Sequence, residues 1–97
     1  VGVAPGANLR DTVAMFEPAH GSAPHYADQD LVNPSATILS GQMMLAHMGW
    51  PEAAAVIVDA LEKTIMDKQG TYDLARQMQG ATQVTCSGFG RAVIERM

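Results

Sequence analysis

The sequence predicts one α/β unit that is mostly helical, has one or two short strands and is incomplete as an isolated domain. A short apolar run is typical of a buried strand, and the segments that follow it are bounded by residues that usually begin and end helices. So few strands cannot complete a sheet, and an isolated strand leaves its backbone N–H and C=O groups unpaired. The strand is therefore expected to pair with residues outside this sequence.

Composition and charge exclude several classes of protein. Apolar residues make up 47% and charged residues 16%, which favours a packed core over disorder. The net charge of −4 argues against a nucleic-acid binder, and no apolar run is long enough to predict a membrane span. Cys86 has no cysteine to pair with, so a reduced, cytoplasmic location is expected. Val1 follows no Met or leader and is expected to mark a cut in a longer polypeptide.

The first third of the chain predicts a turn, a strand and a long loop. Pro5-Gly6-Ala7-Asn8 has the composition of a turn, and Val13-Ala14-Met15-Phe16 is a short apolar run typical of a buried strand. Residues 17–33 contain prolines, a glycine and polar side chains without a clear period, which indicates a loop. Long ordered loops in compact domains are often functional.

The middle of the chain predicts a helix from Ser35 to Met48. Asn33 can cap its N-terminus, and Pro34 suits the first helical position, where the missing N–H has no partner to lose. Apolar residues spread widely around this helix, which indicates burial on several sides. Gly49 is typical of a residue just past a helix C-terminus.

A second helix is predicted from Pro51, with its stop at Gly70. Its apolar stripe recurs every four residues and consists of Ile57, Leu61 and Ile65.

The remaining residues predict shorter elements. Residues 71–78 suggest a single helical turn or an irregular segment, and residues 83–86 suggest a brief strand. Ser87 can cap a last helix that ends at Met97. The apolar side chains of this helix that are expected to point inward are Phe89, Val93 and Ile94.

The residues with the most chemistry lie in the predicted loop, in the run Glu17-Pro18-Ala19-His20-Gly21-Ser22-Ala23-Pro24-His25-Tyr26. The glycine allows close backbone approach, the serine offers a hydroxyl, and both imidazoles and the phenol can donate hydrogen bonds. Together these groups suit a nucleotide that carries an anionic phosphate. The run is neither a Walker loop nor a G-x-G-x-x-G turn.

This run belongs to a longer pattern that resembles a known family. The pattern comprises Ala4-Pro5-Gly6-Ala7-Asn8, Glu17-Pro18-x-His20-Gly21-Ser22-Ala23-Pro24, Asn33-Pro34, Ile38-Leu39-Ser40 and Met43-Met44-Leu45. It resembles the C-terminal signature of the decarboxylating dehydrogenases, which act on isocitrate, 3-isopropylmalate, homoisocitrate or tartrate. The resemblance covers essentially the whole chain. It implies that residues 1–97 are the C-terminal part of the large, cofactor-binding α/β domain of that fold.

Two features resemble the branch of the family that uses NADP and isocitrate. His25-Tyr26 stands where that branch has a basic residue and Tyr, and Tyr72-Asp73-x-x-Arg76 is similar to its second 2′-phosphate cluster. A guanidinium with two phenols and an imidazole suits a phosphate dianion, whereas an Asp would repel it. The cofactor-binding residues that the resemblance implies are His20, Gly21, Ser22, Ala23, Pro24, His25, Tyr26, Asn33, Tyr72 and Arg76.

Two residues depart from the family pattern. His25 stands where bacterial relatives often have Lys, so its charge depends on pH near neutrality. Asp28 stands where a Gly is common. Asp28 and Asp30 together are a weak candidate for a metal site, because two carboxylates in one loop are too few ligands.

The resemblance also implies what this chain does not carry. The family's catalytic Tyr and Lys, its substrate-binding residues and its metal-binding Asp residues have no counterparts here, so no catalytic residue and no metal ligand is assigned. The whole enzyme would use NADP and isocitrate with Mg²⁺ or Mn²⁺ bound by residues outside this chain, and would be a homodimer. The alternatives are a 3-isopropylmalate or homoisocitrate dehydrogenase, or a non-catalytic helical or nucleotide-binding module.

Overall fold

The computed structural model describes residues 3–97, which form helices and short strands. Val1 and Gly2, and with them the expectation of a cut at Val1, lie outside the described residues. The elements in chain order are β1 (Pro5–Leu9), β2 (Ala14–Pro18), α1 (Ser35–His47), α2 (Pro51–Met66), β3 (Gln69–Gly70), α3 (Tyr72–Ala75), β4 (Thr82–Gln83) and α4 (Cys86–Glu95). The mixed, largely helical α/β prediction is confirmed, with four short strands in place of one or two.

Strands β1 and β2 form an antiparallel hairpin. The predicted strand at Val13–Phe16 is therefore present, shifted by one residue at its start. The turn predicted at residues 5–8 is wrong, because this run pairs with β2 and the reversal occurs where the Arg10 N–H donates to the Val13 carbonyl over 2.8 Å. The expectation that β2 finds its partner only outside the sequence is wrong for the same reason.

Helix α1 begins at Ser35 and ends at His47, one residue before the predicted end, but Pro34 lies before the helix and not at its first position. Pro34 precedes the helix, and its carbonyl accepts the Ile38 N–H at 3.0 Å. The Asn33 side chain accepts the Ser35 N–H at 2.9 Å and so satisfies a free donor of the first turn, as its capping assignment predicts. Gly49 follows the helix with a φ of 89°, the left-handed conformation expected past a C-terminus.

Helix α2 ends earlier than the sequence predicts, because Lys68 rather than Gly70 adopts the left-handed backbone with a φ of 58°. The Lys68 Nζ donates to the Gln79 carbonyl at 3.0 Å, which holds the next segment close to this bend. Gly70 instead lies in β3, which pairs in parallel with β4. The single helical turn predicted within residues 71–78 is present as α3.

The last helix is capped by a different residue from the one predicted. The Thr85 hydroxyl accepts the Gly88 N–H at 3.0 Å, whereas Ser87 lies within the helix. Cys86 belongs to α4, so the strand predicted over residues 83–86 is shorter and earlier. Phe89 and Val93 point inward as predicted, but Ile94 is 66% exposed and the prediction for it is wrong.

The core lies between α2 and α4. Its fully packed side chains are Ala60, Leu61, Phe89 and Val93, and partly buried residues of α1, α2 and the β4–α4 connection surround them. Helix α1 packs on both α2 and the hairpin. This arrangement places the N-terminus of α1, the short α3 and the N-terminus of α4 around the loop that follows β2. No helix within residues 3–97 is both long and apolar enough to span a bilayer.

Candidate functional site

The loop between β2 and α1 is shaped by left-handed residues around a single 3₁₀ turn at Pro24–Tyr26. Ala23, Asp28 and Asp30 have φ values of 46°, 62° and 55°. Glycine adopts this conformation most easily, and Asp is among the few other residues that tolerate it. The left-handed backbone at Asp28 is therefore the conformation that favours the Gly common in the family pattern, and Asp28 adopts it as well.

Asp30 attaches the loop to the start of α4. Its carboxylate accepts the Ser87 N–H at 2.7 Å and the Ser87 hydroxyl at 2.6 Å, and its carbonyl accepts the Cys86 N–H at 2.8 Å. The Ser87 side chain and backbone donors hold the pKa of Asp30 below its ordinary value. Both oxygens of the Asp30 carboxylate are therefore engaged by Ser87, and within residues 3–97 no group of three His, Cys, Asp or Glu side chains includes Asp28 and Asp30.

The loop encloses a pocket of about 400 Å³ against the N-terminal ends of α1 and α4. Among the residues predicted to bind cofactor, those that line it are His20, Gly21, Ser22, Ala23, Tyr26 and Asn33. Pro24 and His25 lie on the same 3₁₀ turn but do not line the pocket. Cys86 also lines the pocket, and burial, followed by the nearby Asp30 charge, raises the pKa of its thiol.

A cluster of aromatic rings and one guanidinium lies next to this pocket. The rings of Tyr26 and Tyr72 are stacked, with centroids 6.0 Å apart and planes inclined by 23°. The Arg76 Cζ lies 5.9 Å from the centroid of the Tyr72 ring. Hydrogen bonding with the Tyr26 side chain, and then burial, raise the pKa of Tyr72, so the Tyr72 phenol stays a protonated donor at neutral pH. The structure thus brings the predicted residue Tyr26 next to Tyr72 and Arg76, which lie in a distant part of the chain.

Asn33, which lines the pocket, is joined to α3 by a polar network. Asn33 is 2% exposed, and its Nδ2 donates to the Asp73 Oδ2 at 3.2 Å. The Thr71 hydroxyl donates to the other Asp73 oxygen. Burial raises the pKa of Asp73, but the hydrogen bonds from Thr71, Asn33 and the backbone together hold it below its ordinary value. Asp73 is therefore an ionised acceptor shared by the pocket and the α3 turn.

Sequence reasoning missed the roles of Asp30 and Asp73. Asp30 contacts a residue 57 positions away and Asp73 contacts one 40 positions away, so no local spacing indicates either contact. The available signal was weak: Asp73 falls within the Tyr72–Arg76 motif, between the two residues predicted to hold the phosphate. Its type is the one required to accept hydrogen bonds from an amide and a hydroxyl.

Comparison with known proteins gives one consistent result. The family model described as isocitrate/isopropylmalate dehydrogenase matches residues 1–93. Across all 97 residues the chain is 60% identical to the isocitrate dehydrogenase [NADP] of Helicobacter pylori and 57% identical to that of Pseudomonas aeruginosa. The chain spans 23% of the length of each of these relatives.

The fold agrees with a solved structure of the same kind. The crystal structure of isocitrate dehydrogenase from Methylococcus capsulatus superimposes with a TM-score of 0.86 at 40% identity, over 95% of this chain and 26% of that one. The matched region of the curated relatives is their C-terminal part, as the resemblance implies. Since a family model covers nearly the whole chain and the fold coincides, this chain belongs to the isocitrate/isopropylmalate dehydrogenase family.

Proposed function

We propose that this chain supplies the adenosine half of the NADP site in an enzyme that oxidatively decarboxylates isocitrate to 2-oxoglutarate. In this proposal the pocket receives the adenine and its ribose, with Asn33 at its wall. Tyr26, Tyr72 and Arg76 bind the 2′-phosphate, assisted by His25. Bound NADP⁺ accepts the hydride from isocitrate, and this segment anchors the remote end of the cofactor so that the nicotinamide is correctly positioned.

The observation that carries the proposal is the convergence of Tyr26, Tyr72 and Arg76 beside the pocket. A 2′-phosphate is a dianion that needs several donors, and a guanidinium with two phenol hydroxyls provides them. The names of the relatives, which specify NADP, support the same cofactor. The donor set therefore fits the group that the family resemblance implies.

The other parts of the reaction would come from outside the described residues. Within residues 3–97, no three His, Cys, Asp or Glu side chains come together as a metal site would require. The proposal therefore assigns the Mg²⁺ or Mn²⁺ ligands, the isocitrate-binding residues and the catalytic acid and base to other parts of the full-length enzyme. A homodimeric, cytoplasmic enzyme is part of the same proposal.

Cofactor kinetics of the full-length enzyme test this proposal. Arg76→Ala is expected to lower kcat/KM for NADP by about 10- to 100-fold, because a hydrogen bond to a charged group is worth roughly 1.5–3 kcal/mol. The value for NAD, which lacks the phosphate, should change by less than about twofold. Lys63→Ala is the matched control, since it removes a cation that pairs with Asp59 on the exposed face of α2. An unchanged ratio of NADP to NAD efficiency in Arg76→Ala would reject the assignment.

The substrate requires a separate test. The matching family includes isopropylmalate dehydrogenases. In our proposal the pocket and the cluster bind only the cofactor, so they do not determine which substrate the enzyme uses. Full-length enzyme should therefore be assayed with isocitrate, homoisocitrate and 3-isopropylmalate. Preference for isocitrate is expected, and preference for either of the others would replace isocitrate with that substrate.

A further inference from the structure

The polar network around Asp73 connects the two halves of the proposed cofactor site. Asn33 faces the pocket, while Tyr72 and Arg76 lie on or directly after α3. Helix α3 has only four residues, and the helices and strands it packs against are β3 and β4, not α1. The Asn33–Asp73 hydrogen bond is therefore a direct link between the start of α1 and the α3 turn.

The chemistry of this link fixes the direction of each group. The Asn33 Oδ1 accepts the Ser35 N–H, so the Nδ2 must point to Asp73 and needs an acceptor there. Asp73 offers one oxygen to Asn33 and the other to Thr71, which is fully buried and precedes α3. Every donor in this hydrogen-bond network meets an acceptor. Reversing the Asn33 amide would set its Nδ2 against the Ser35 N–H and its Oδ1 against the Asp73 carboxylate.

We propose that Asp73 is a positioning residue that acts through Asn33 to hold the α3 turn in register with the pocket, and so contributes to the preference for NADP over NAD. The inference rests on the proposed function above. Asp73 does not need to touch the cofactor for this role. It sets the separation between the pocket and the side chains of Tyr72 and Arg76, and that separation matters only for a nucleotide that carries the 2′-phosphate.

The test is a charge-conserving swap in the full-length enzyme. Asp73→Asn places an amide where both Asn33 and Thr71 donate, so at least one of the two hydrogen bonds is lost. In the double variant Asn33→Asp/Asp73→Asn, the new Asp accepts both the Ser35 N–H and the Asn amide, while the Asn oxygen still accepts the Thr71 hydroxyl. Any loss of contact between Asn33 and the adenine affects NADP and NAD equally, so it cancels in their ratio.

The measurement is kcat and KM for each cofactor, with the melting temperature of every variant. Asp73→Asn is expected to lower the NADP/NAD ratio of kcat/KM by about five- to tenfold through KM for NADP, a size typical of one lost buried hydrogen bond. The double variant should return the ratio to within about twofold of the original enzyme. If Asp73→Asn is not folded, Thr71→Val, which removes one donor with little change of shape, should shift the ratio in the same direction.

Several results would overturn the inference. An equal loss for both cofactors would show a purely structural role, and an unchanged ratio in the folded variants would show no role. A ratio that rises in Asp73→Asn would show that the carboxylate acts by repelling the phosphate. Failure of the double variant to restore the ratio would reject the Asn33–Asp73 pairing. If Arg76→Ala also leaves the ratio unchanged, the proposed function fails; if Arg76→Ala shifts it, only this inference fails.

Discussion

The α2–α4 core and the loop that leads into α1 are held together by different forces. The core consists of apolar side chains such as Phe89 and Val93, which are 0% and 2% exposed. The loop is attached by polar contacts between distant residues, through Asp30 to Ser87 and through Asn33 to Asp73. The core gains its stability from removing apolar surface from water, whereas the loop gains a defined shape from paired donors and acceptors.

This difference separates stability from ligand recognition. Truncating a core residue should weaken the whole domain, with cofactor discrimination affected only as far as the domain unfolds. Changing a polar residue of the loop should change discrimination or local order, with a smaller effect on the melting temperature. The predictions below test whether the two regions are as independent as this contrast requires.

The largest effect is expected in the core. Phe89→Ala should lower the free energy of unfolding by about 3–5 kcal/mol, because it removes a fully buried ring and leaves a cavity. Ile94→Ala lies on the same helix and is the control, since its side chain is 66% exposed and should change stability by less than about 0.5 kcal/mol. Thermal or chemical denaturation of the full-length enzyme measures both. Equal losses would show that Ile94 is covered in the full-length enzyme.

A smaller effect is expected where the two regions meet. A Cβ added at Gly70 would lie 2.9 Å from the Leu74 Cβ and 3.4 Å from the Met78 Cε, so Gly70→Ala should destabilise by about 1–3 kcal/mol. The clash lies at the base of α3, so the NADP/NAD ratio should fall as well. Gly90→Ala in α4 is the control. A Cβ added there would have no atom within 4 Å, so Ala should stabilise the helix by about 0.5–1 kcal/mol.

Measuring stability and kinetics on the same Gly70→Ala preparation sharpens the contrast. A fall in melting temperature with an unchanged NADP/NAD ratio would contradict the coupling of β3 to the α3 turn. A fall in both would identify Gly70 as the point where packing and recognition are linked.

The same contrast explains which parts of the molecule could be predicted from the sequence. Local signals predict helices α1 and α2 and the inward side chains Phe89 and Val93. These signals are the spacing of apolar residues and the Pro and Gly residues at helix ends, and both act over a few residues. The pairing of residues 5–9 with β2 and the exposure of Ile94 do not, because they depend on which neighbour is available in three dimensions. Propensity predicts a turn for Pro5-Gly6-Ala7-Asn8, and pairing with an adjacent strand overrides it.

The candidate site divides in the same way. Its composition could be recognised from the motif, and so could the proximity of Tyr26 to Tyr72 and Arg76 once the family was considered. The residues that hold these groups in place could not, because the Asp30–Ser87 and Asn33–Asp73 contacts join positions that no local pattern relates. Supporting contacts of this kind depend on the folded chain, and they are the ones that the swap experiment addresses.

The smallest effect is expected at Asp30, and it should depend on pH. Its pKa lies below the ordinary value of 3.8, so the ionised carboxylate stabilises the loop fully above that value. This stabilisation is lost as the pH falls from 3.8 through the lowered pKa. Asp30→Asn should therefore increase amide hydrogen exchange in residues 27–33 and 84–90 by about threefold at pH 7, a modest effect because the carboxylate that accepts the two Ser87 hydrogen bonds is exposed.

Exchange in the Asp30→Asn variant should be compared with the original full-length enzyme at each pH, so that the intrinsic pH dependence of exchange cancels. The ratio of the two rates should stay constant from pH 7 to about 5, begin to fall near pH 3.8 and approach one below the lowered pKa, where the carboxyl of the folded enzyme takes up its proton. Asp59→Asn, which removes an exposed carboxylate that pairs with Lys63 on α2, should leave both segments unchanged. A rate ratio that stays constant below pH 3.8 would mean that the loop is attached by something other than the charge on Asp30, and polar contacts would then no longer account for the contrast with the core.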